Sequence, residues 1–406
     1  MEEGRTDKPA PTTQRVERRL SVLYLNHASQ ISGAEQSLRA LLWQLRRARS
    51  EVDPVVALPG GGPFADLLRD EEWSVALAPL RRLQRPQNIV GGVSTLWHVL
   101  QTAPFIARLG NKLGAEILHS NSTTAHLVGG LAADRLKKPA IWHVRDLVKL
   151  PRIAPQLAAR ATHIIAISGC VAESLQNDGV PPEKIRIIPN GLDPDEWQPH
   201  PPAPRRNTLR TSLELPHDGF VFGCVGQLVP WKNHRAFIEA AARLCDDHCE
   251  RAHFVLLGGD LWGEHHAYAH SLRERVRELG LADKFHFVPH QLDNIDALSA
   301  LDCIVLASLD EPFGRVLIEG MALKKPVIAY ARNGPLEIIT HEHDGLLVSP
   351  DEPDGLAHAM KRVLQDAELR GWLARHARET VSQRFHIADH AQQVLDVYRG
   401  LVSRRP

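Results

Sequence analysis

The sequence predicts an α/β protein with two doubly wound parallel-sheet domains that face each other across a cleft. At 406 residues the chain is too long for one ordinary hydrophobic core. Short apolar runs alternate with helical patterning in both halves, as expected for repeated βα units of the Rossmann type. Between the halves, residues 198–213 are rich in Pro, His, Arg and Asn, a composition typical of an interdomain linker.

The predicted N-terminal domain spans residues 20–197. It follows a charged, Pro- and Thr-rich segment, residues 1–19, that predicts a disordered leader. Apolar runs predict strands at residues 20–25, 54–58, 74–78, 117–119, 140–144, 163–167 and 185–188. Helical patterning predicts helices at residues 33–46, 63–71, 94–113 and 124–135. Short connections between these elements favour parallel strands.

The predicted C-terminal domain spans residues 214–385 and repeats the pattern. Its strands are predicted at residues 220–225, 254–257, 285–288, 303–307, 327–329 and 345–348. Its first helices are predicted at residues 234–244 and 268–280. Helical patterning then continues from residue 353 to residue 402, so the last segment, residues 386–406, is expected to contain a helix.

Composition excludes several classes of function. The formal net charge is zero, whereas a nucleic-acid-binding protein usually shows a basic excess. Five cysteines, an odd number without a Cys-x-x-Cys pair, favour a reducing compartment. No apolar run reaches the ~18–20 residues of a membrane span. We therefore expect a cytoplasmic protein that binds no nucleic acid.

Residues 94–113 form a strongly apolar helical stretch that carries Arg108 and Lys112 and contains Pro104. Such a helix could lie on a membrane surface or bind an apolar acceptor. A kinked helix that packs on the sheet explains the same pattern. Peripheral membrane contact through this stretch is therefore one of two interpretations.

The most informative stretch runs from Glu311 to Glu319, between a predicted buried strand and a predicted helix. A strand, a short loop with one glycine and a helix form a phosphate-binding edge in many α/β proteins. Carboxylates repel phosphate but accept hydrogen bonds from hydroxyls. Two acids around Gly314 and Arg315 therefore predict a sugar-nucleotide ligand rather than bare phosphate. The alternative is a helix N-terminus at which Glu is favoured by the helix dipole.

A second candidate site opens the C-terminal domain, where Gly226 and Gln227 follow a predicted strand. Lys232 stands next to a helix that is predicted to begin near Asn233. There the Lys232 ammonium and free backbone N–H groups could hold a diphosphate together.

These motifs, taken together, resemble glycosyltransferase family 4, which comprises retaining enzymes of the GT-B fold. The resemblance covers residues 20–385 and rests on six motifs in the family's order. They are residues 32–35 (SGAE), 188–193 (IPNGLD), 225–232 (VGQLVPWK), 311–319 (EPFGRVLIE), 334–339 (GPLEII) and 344–348 (DGLLV).

The resemblance implies transfer of a sugar from a nucleotide-sugar donor, most commonly a UDP-sugar, to an acceptor hydroxyl. It implies retention at the anomeric carbon, no metal and no cofactor. The acceptor could be a small molecule, a glycan or a lipid-linked sugar. The resemblance also implies that residues 386–406 return to the N-terminal domain.

The same resemblance assigns roles to individual residues. Glu319 would accept hydrogen bonds from the ribose, and Glu311 would lie beside the donor sugar. Lys232 would neutralise the leaving diphosphate. Gly33 would let its loop approach the donor from across the cleft. The remaining donor-binding residues are Gly226, Gln227, Phe313, Gly314 and Arg315.

This chain departs from the family pattern at two places. The family usually has Arg where this chain has Gln227, so another cation, Arg315 or Arg145, is expected to compensate. The family commonly has His next to an acid at a strand end, whereas here Arg145 precedes Asp146. His143 lies two residues earlier, and the period of a strand puts His143 and Arg145 on one sheet face. We expect His143 to contact a sugar hydroxyl and Arg145 to supply charge.

Three other functions stay open at this point. Residues 60–65 (GGGPFA) fit the dinucleotide-binding pattern of an NAD(P)-dependent oxidoreductase. That pattern follows the second strand, however, and the next strand ends without the acid that binds a ribose. A nucleotide-sugar epimerase of the same fold and a non-catalytic sugar-nucleotide-binding protein are the other two alternatives.

Overall fold

The computed structural model describes residues 19–48, 51–82, 89–147, 149–197, 205–247, 251–290 and 294–403. Most of the predicted leader, residues 1–18, and the first part of the predicted linker, residues 198–204, lie outside these ranges. No helix in the described part of the chain is long and apolar enough to cross a membrane.

The N-terminal domain is built on one parallel sheet, which has seven strands in the described residues. The strands are β1 (Leu20–Leu25), β2 (Val52–Leu58), β3 (Ser74–Leu77), β4 (Ile117–Ser120), β5 (Ala140–Val144), β6 (His163–Ala166) and β7 (Ile185–Ile187). The helices are α1 (Gly33–Arg47), α2 (Pro63–Asp70), α3 (Ile89–Lys112), α4 (Thr123–Leu136), α5 (Ala154–Arg160) and α6 (Gly169–Asn177). The strands lie in the order β3-β2-β1-β4-β5-β6-β7.

The C-terminal domain carries a second parallel sheet, with six strands in the described residues. The strands are β8 (Phe220–Val225), β9 (Ala252–Leu257), β10 (Phe285–Val288), β11 (Cys303–Leu306), β12 (Val327–Tyr330) and β13 (Leu346–Val348). The helices are α7 (Arg205–Ser212), α8 (His234–Asp246), α9 (His266–Glu278), α10 (Asn294–Ser299), α11 (Arg315–Ala322), α12 (Gly334–Ile338), α13 (Gly355–Gln365) and α14 (Ala367–Arg384). A last helix, α15 (Ile387–Val402), follows.

Both sheets reverse their strand order next to their first strand. β1 lies between β2 and β4, and β8 lies between β9 and β11. In a doubly wound sheet this reversal separates the connecting loops at the carboxyl ends of the strands and leaves a crevice there. The two crevices face each other and form the interdomain cleft, which confirms the predicted fold class.

The last helix, α15, packs on the N-terminal domain. Its Tyr398 hydroxyl lies 2.7 Å from the Tyr24 hydroxyl of β1, and both side chains are fully buried. The chain crosses back where the backbone N–H of Leu192 donates to the Phe385 carbonyl and Ile387 donates to the Leu192 carbonyl, both at 3.0 Å. The helix that the resemblance implied is therefore present and joins the two domains.

The second half of the predicted linker is helical. Residues 205–212 form α7, which packs beside α10. Arg210 of α7 donates to the Ala300 carbonyl at 2.8 Å and pairs with Asp302. These contacts attach α7 to the C-terminal sheet, so the described second half of the predicted linker packs with the C-terminal domain.

Candidate active site

A cavity of about 1520 Å³ lies between the domains and receives side chains from both. Its N-terminal wall comes from the loops after β1, β4 and β5 and from α3, α4 and α5. Its C-terminal wall comes from the loops after β8, β9 and β11 and from the first turns of α11. The cavity thus occupies the crevice at which the strand order of each sheet reverses.

A buried ion pair lies on the C-terminal wall. Lys232 Nζ is 2.6 Å from Glu311 Oε2, and the two side chains are only 15% and 7% exposed. Lys232 ends a 3-10 turn, Pro230–Lys232, that follows β8, whereas Glu311 lies in the loop between β11 and α11. Because β8 and β11 are neighbours in the sheet, their loops bring these two residues together. Lys232 Nζ also lies 4.6 Å from the centre of the Trp231 ring.

A second ion pair joins Arg315 to Glu319 on the first turns of α11. Arg315 Nε donates to Glu319 Oε1 at 2.6 Å, with 14% and 3% of the side chains exposed. Arg315 Nη1 reaches across the cleft and donates to Ser37 Oγ of α1 at 2.9 Å. Gly33, at the start of α1, faces the Arg315 side chain. Residues 307–314, between β11 and α11, carry Glu311 and are called the acidic loop here. Arg315 thereby connects the Gly33 loop with the end of the acidic loop.

The loop between Glu311 and α11 is held by a close backbone approach. The Gly334 N–H donates to the Glu311 carbonyl at 3.0 Å. A Cβ at Gly334 would lie 2.5 Å from the Phe313 backbone, so only glycine fits there. Gly314 adopts φ 101°, a left-handed conformation that glycine tolerates. The N–H groups of Phe313, Gly314 and Arg315 donate to no acceptor in the described part of the chain, and they precede or begin α11.

Arg145 is a buried cation on the N-terminal wall. Its Nε donates to Asn121 Oδ1 at 2.9 Å, its Nη1 donates to Asn190 Oδ1 at 2.8 Å, and its Nη2 lies 3.4 Å from His143 Nδ1. The side chain forms no ion pair within the described residues, although it is only 5% exposed. Burial lowers the pKa of the guanidinium to about 10, so it stays charged at neutral pH. Neutral amides therefore hold the guanidinium directly, while the nearby carboxylates of Glu35 and Asp146 favour its charged form without forming an ion pair.

His143 lies behind Arg145, among buried aromatic side chains. Its Nδ1 is 3.1 Å from His119 Nε2, and His119 Nδ1 is 2.7 Å from the Tyr398 hydroxyl of α15. Burial, followed by the charge of Arg145, holds the pKa of His143 and that of His119 well below the usual range. Both imidazoles are therefore neutral at pH 7. The Nε2 atom of His143 is buried and finds no partner among the described residues.

Glu35 extends the polar network beneath the Gly33 loop. It accepts hydrogen bonds from the Ser32 N–H at 3.0 Å and from Asn26 Nδ2 at 3.1 Å. Asn26 in turn accepts from Asn121 Nδ2 at 2.9 Å. Burial raises the pKa of Glu35, and the hydrogen bonds from Ser32 and Asn26 oppose that rise. The network fixes the start of α1 relative to the Asn121 that binds Arg145.

The acidic loop is also tied to the N-terminal domain through α6. Ser168 Oγ donates to the Pro312 carbonyl at 2.6 Å. The Glu337 carboxylate accepts from the backbone N–H groups of Gly169 and Cys170 at 2.7 and 2.8 Å. A carboxylate is favoured at a helix N-terminus by the helix dipole. This contact joins α6 of the N-terminal domain to α12 of the C-terminal domain.

The structure brings all but one of the predicted site residues to the cavity. The residues that line it are Gly33, Arg145, Gly226, Gln227, Lys232, Glu311, Phe313, Gly314, Arg315 and Glu319. His143 does not line it and contacts Arg145 instead. Among the described residues, no three His, Cys, Asp or Glu side chains come together as metal ligands.

Sequence reasoning gave no role to Glu35, Asn190 or Tyr398. For Glu35 a signal was present, because Ser32 and Glu35 have the spacing of a capping box, which the structure contains. Asn190 lies in the motif of residues 188–193, but no local pattern shows its role or that of Tyr398, since their partners lie 45 and 279 or more residues away in the chain.

Both domains match family models. Residues 31–196 match the model described as Glycosyltransferase Family 4, and residues 205–380 match the one described as Glycosyl transferases group 1. The chain belongs to glycosyltransferase family 4. The resemblance found in the sequence motifs is thereby confirmed.

Similar proteins agree with this membership. A D-inositol 3-phosphate glycosyltransferase of Saccharomonospora viridis is 29% identical over 306 residues, which cover 70% of each chain. The lipopolysaccharide core biosynthesis glycosyltransferase LpsD of Rhizobium meliloti is 33% identical over 208 residues, 51% of this chain and 56% of LpsD. The structure of Anabaena HepE with UDP-glucose superposes with a TM-score of 0.81 at 26% identity and covers 94% of this chain and 100% of HepE. The protein is a glycosyltransferase of the GT-B fold.

Proposed function

We propose that this glycosyltransferase moves a sugar from a UDP-sugar to an acceptor hydroxyl, with retention and without a metal ion. One observation carries the proposal. The Lys232–Glu311 and Arg315–Glu319 pairs meet on one wall of the cleft, opposite the buried Arg145. Such a cavity offers cations for a diphosphate and carboxylates for hydroxyls.

The charges suit the transition state of glycosyl transfer. The bond to the leaving group breaks as the sugar becomes cationic and the diphosphate gains negative charge. Lys232 and the free N–H groups before α11 would stabilise that anion, and both are held in place by the fold before the reaction. Glu311, beside the Lys232 ammonium, would face the sugar, and Glu319 would accept hydrogen bonds from the ribose.

In this proposal, Arg145 supplies the positive charge that the neutral side chain of Gln227 does not. Both side chains line the same cavity. Arg145 cannot move freely, because Asn121 and Asn190 hold two of its three nitrogens. A held guanidinium costs little reorganisation when charge develops nearby. His143, behind Arg145, would then orient Arg145 rather than contact the sugar.

The proposal that the donor carries uridine rests on a similar solved structure. HepE, whose structure superposes over 94% of this chain, was solved with UDP-glucose. Retention and metal independence are what family membership suggests for this cleft.

The test measures release of nucleoside diphosphate from UDP-, GDP- and ADP-sugars with EDTA or with magnesium. We expect release from a UDP-sugar, unchanged by EDTA, and a product whose anomeric configuration, followed by proton NMR, equals that of the donor. An inverted product would contradict retention, and activity that disappears with EDTA would contradict metal independence. Release from none of the donors would contradict the proposed reaction.

A further inference from the structure

Helix α3 presents an apolar stripe to solvent. The stripe consists of Val93, Leu96, Trp97 and Leu100, whose side chains are 62%, 59%, 64% and 46% exposed. Spacings of three, four and seven residues put them on one face of the helix. Single exposed apolar side chains are common on protein surfaces, whereas a contiguous stripe with a tryptophan marks an interaction surface.

The charges of α3 are of one sign. Its sequence, residues 89–112, contains no Asp or Glu, and it carries exposed Arg108 and Lys112 near its end. Arg108 follows Trp97 by 11 residues, about three turns, so it extends the face that the stripe begins. An apolar stripe continued by cations is the pattern of helices that lie in the interface of anionic lipid surfaces.

The stripe is continuous with the active-site cleft. Leu96 belongs to the stripe and also lines the cavity. From there the N-terminal wall continues over apolar side chains of α4 and of the segment before α5. These side chains are Leu127, Leu131, Leu147, Leu150 and Ile153. Sugars offer hydroxyls to polar groups, so an apolar wall fits a different part of the acceptor.

We propose that the stripe docks the protein on an anionic lipid bilayer and that the acceptor is an amphiphile whose apolar chain lies along this wall. The acceptor part of this inference rests on the proposed function. A bilayer is the occupant that fits best, because it can cover the stripe and supply the acceptor to the adjoining cleft. The charge of α3 also fits an anionic surface, because the helix carries exposed Arg108 and Lys112 and no Asp or Glu.

Docking is tested by vesicle flotation, which needs no acceptor. We expect the protein to float with phosphatidylcholine vesicles that contain roughly one third phosphatidylglycerol. Trp97→Ser with Leu100→Ser should lower the bound fraction about tenfold. Trp372→Ser, which removes an exposed tryptophan from α14, is the matched control and should float like wild type. Absence of flotation would overturn docking, and so would a stripe variant that floats as well as wild type. A dimer in light scattering that the stripe variant abolishes would show that the stripe binds a second copy of the chain instead.

The acceptor class is tested by calorimetric titration of methyl and octyl glucoside with UDP present. The octyl compound should bind about tenfold more tightly or better, and Leu131→Ser should reduce that difference. Equal affinities would overturn the amphiphilic acceptor. UDP binding is measured in the same samples, so a protein that binds UDP but neither vesicles nor octyl chains refutes this inference alone. A protein that floats but binds no nucleotide refutes the proposed function instead.

Discussion

Replacing Lys232 by methionine separates a structural role of the Lys232–Glu311 pair from a role in binding the diphosphate. The variant leaves the Glu311 carboxylate, 7% exposed, without its cation. Removing one partner of a buried pair costs about 3–5 kcal/mol of unfolding free energy. Losing a charged hydrogen bond to a phosphate costs about 1.5–3 kcal/mol, so UDP should bind about 10–150-fold more weakly.

The double variant Lys232→Met with Glu311→Gln provides the decisive comparison. Glutamine removes the buried charge, so most of the lost stability should return in urea unfolding. The affinity for UDP, measured by calorimetry, should stay low because the cation is still absent. UDP lacks the donor sugar that is transferred, so the role proposed for Glu311 beside that sugar does not enter this readout. If UDP affinity recovers together with stability, or never falls, Lys232 does not bind the diphosphate.

Three further predictions concern other parts of the network. Arg145→Gln should lower transfer about 100-fold, and Gln227→Arg added to it should recover part of the rate by returning a cation; no recovery would refute compensation. Glu337→Ala removes the carboxylate at the start of α6 and should weaken the contact between the domains by about 1–2 kcal/mol of free energy. Small-angle scattering should then show a larger radius of gyration, and an unchanged radius would refute the importance of this contact. Burial lowers the pKa of His390 to about 4 from 6.5, so the stability that the neutral, buried imidazole contributes is lost as pH falls from 6.5 to 4. His390→Gln should therefore reduce the proton uptake on unfolding near pH 5 by about one proton. Equal uptake by the variant and the wild type would contradict the lowered pKa.

The sequence predicts the sheets well because their strands are buried. β1 and β8 have the predicted bounds, and every residue of β11 is buried. β2 begins at Val52, two residues before the predicted start at Pro54. Proline lacks an N–H and is a common strand boundary. It is tolerated here because β2 pairs with β3 only from Val55 onwards, so Pro54 has a neighbour on one side.

The sequence does not predict the start of α3 correctly. The helix begins at Ile89, five residues before the predicted start, and its first turns contain Gly91 and Gly92. Glycine is unfavourable in a helix by about 1 kcal/mol, so the pattern weakens where the helix begins. Packing of the later turns against α4 overrides that local preference.

The candidate site could be predicted only where function follows a local motif. The acidic loop and Lys232 lie in motifs whose spacing is visible in the chain, and both line the cavity. The placement of His143 could not be foreseen. Period two correctly puts His143 and Arg145 on one face, but the helix α15, from the far end of the chain, fills the space beyond His143 with Tyr398 and His390. Arg145 therefore lies between His143 and the cleft.

The central claim is that the cleft binds the diphosphate of a nucleotide sugar. A thermal-shift panel with UDP, GDP, ADP, dTDP, NAD and NADP tests it most directly. A ligand at 100 times its dissociation constant stabilises the folded protein by ~2.7 kcal/mol, which raises Tm by several degrees. We expect a shift with UDP that does not need magnesium and that is reduced in Lys232→Met. A shift with NAD or NADP alone, or with no nucleotide, would contradict the account.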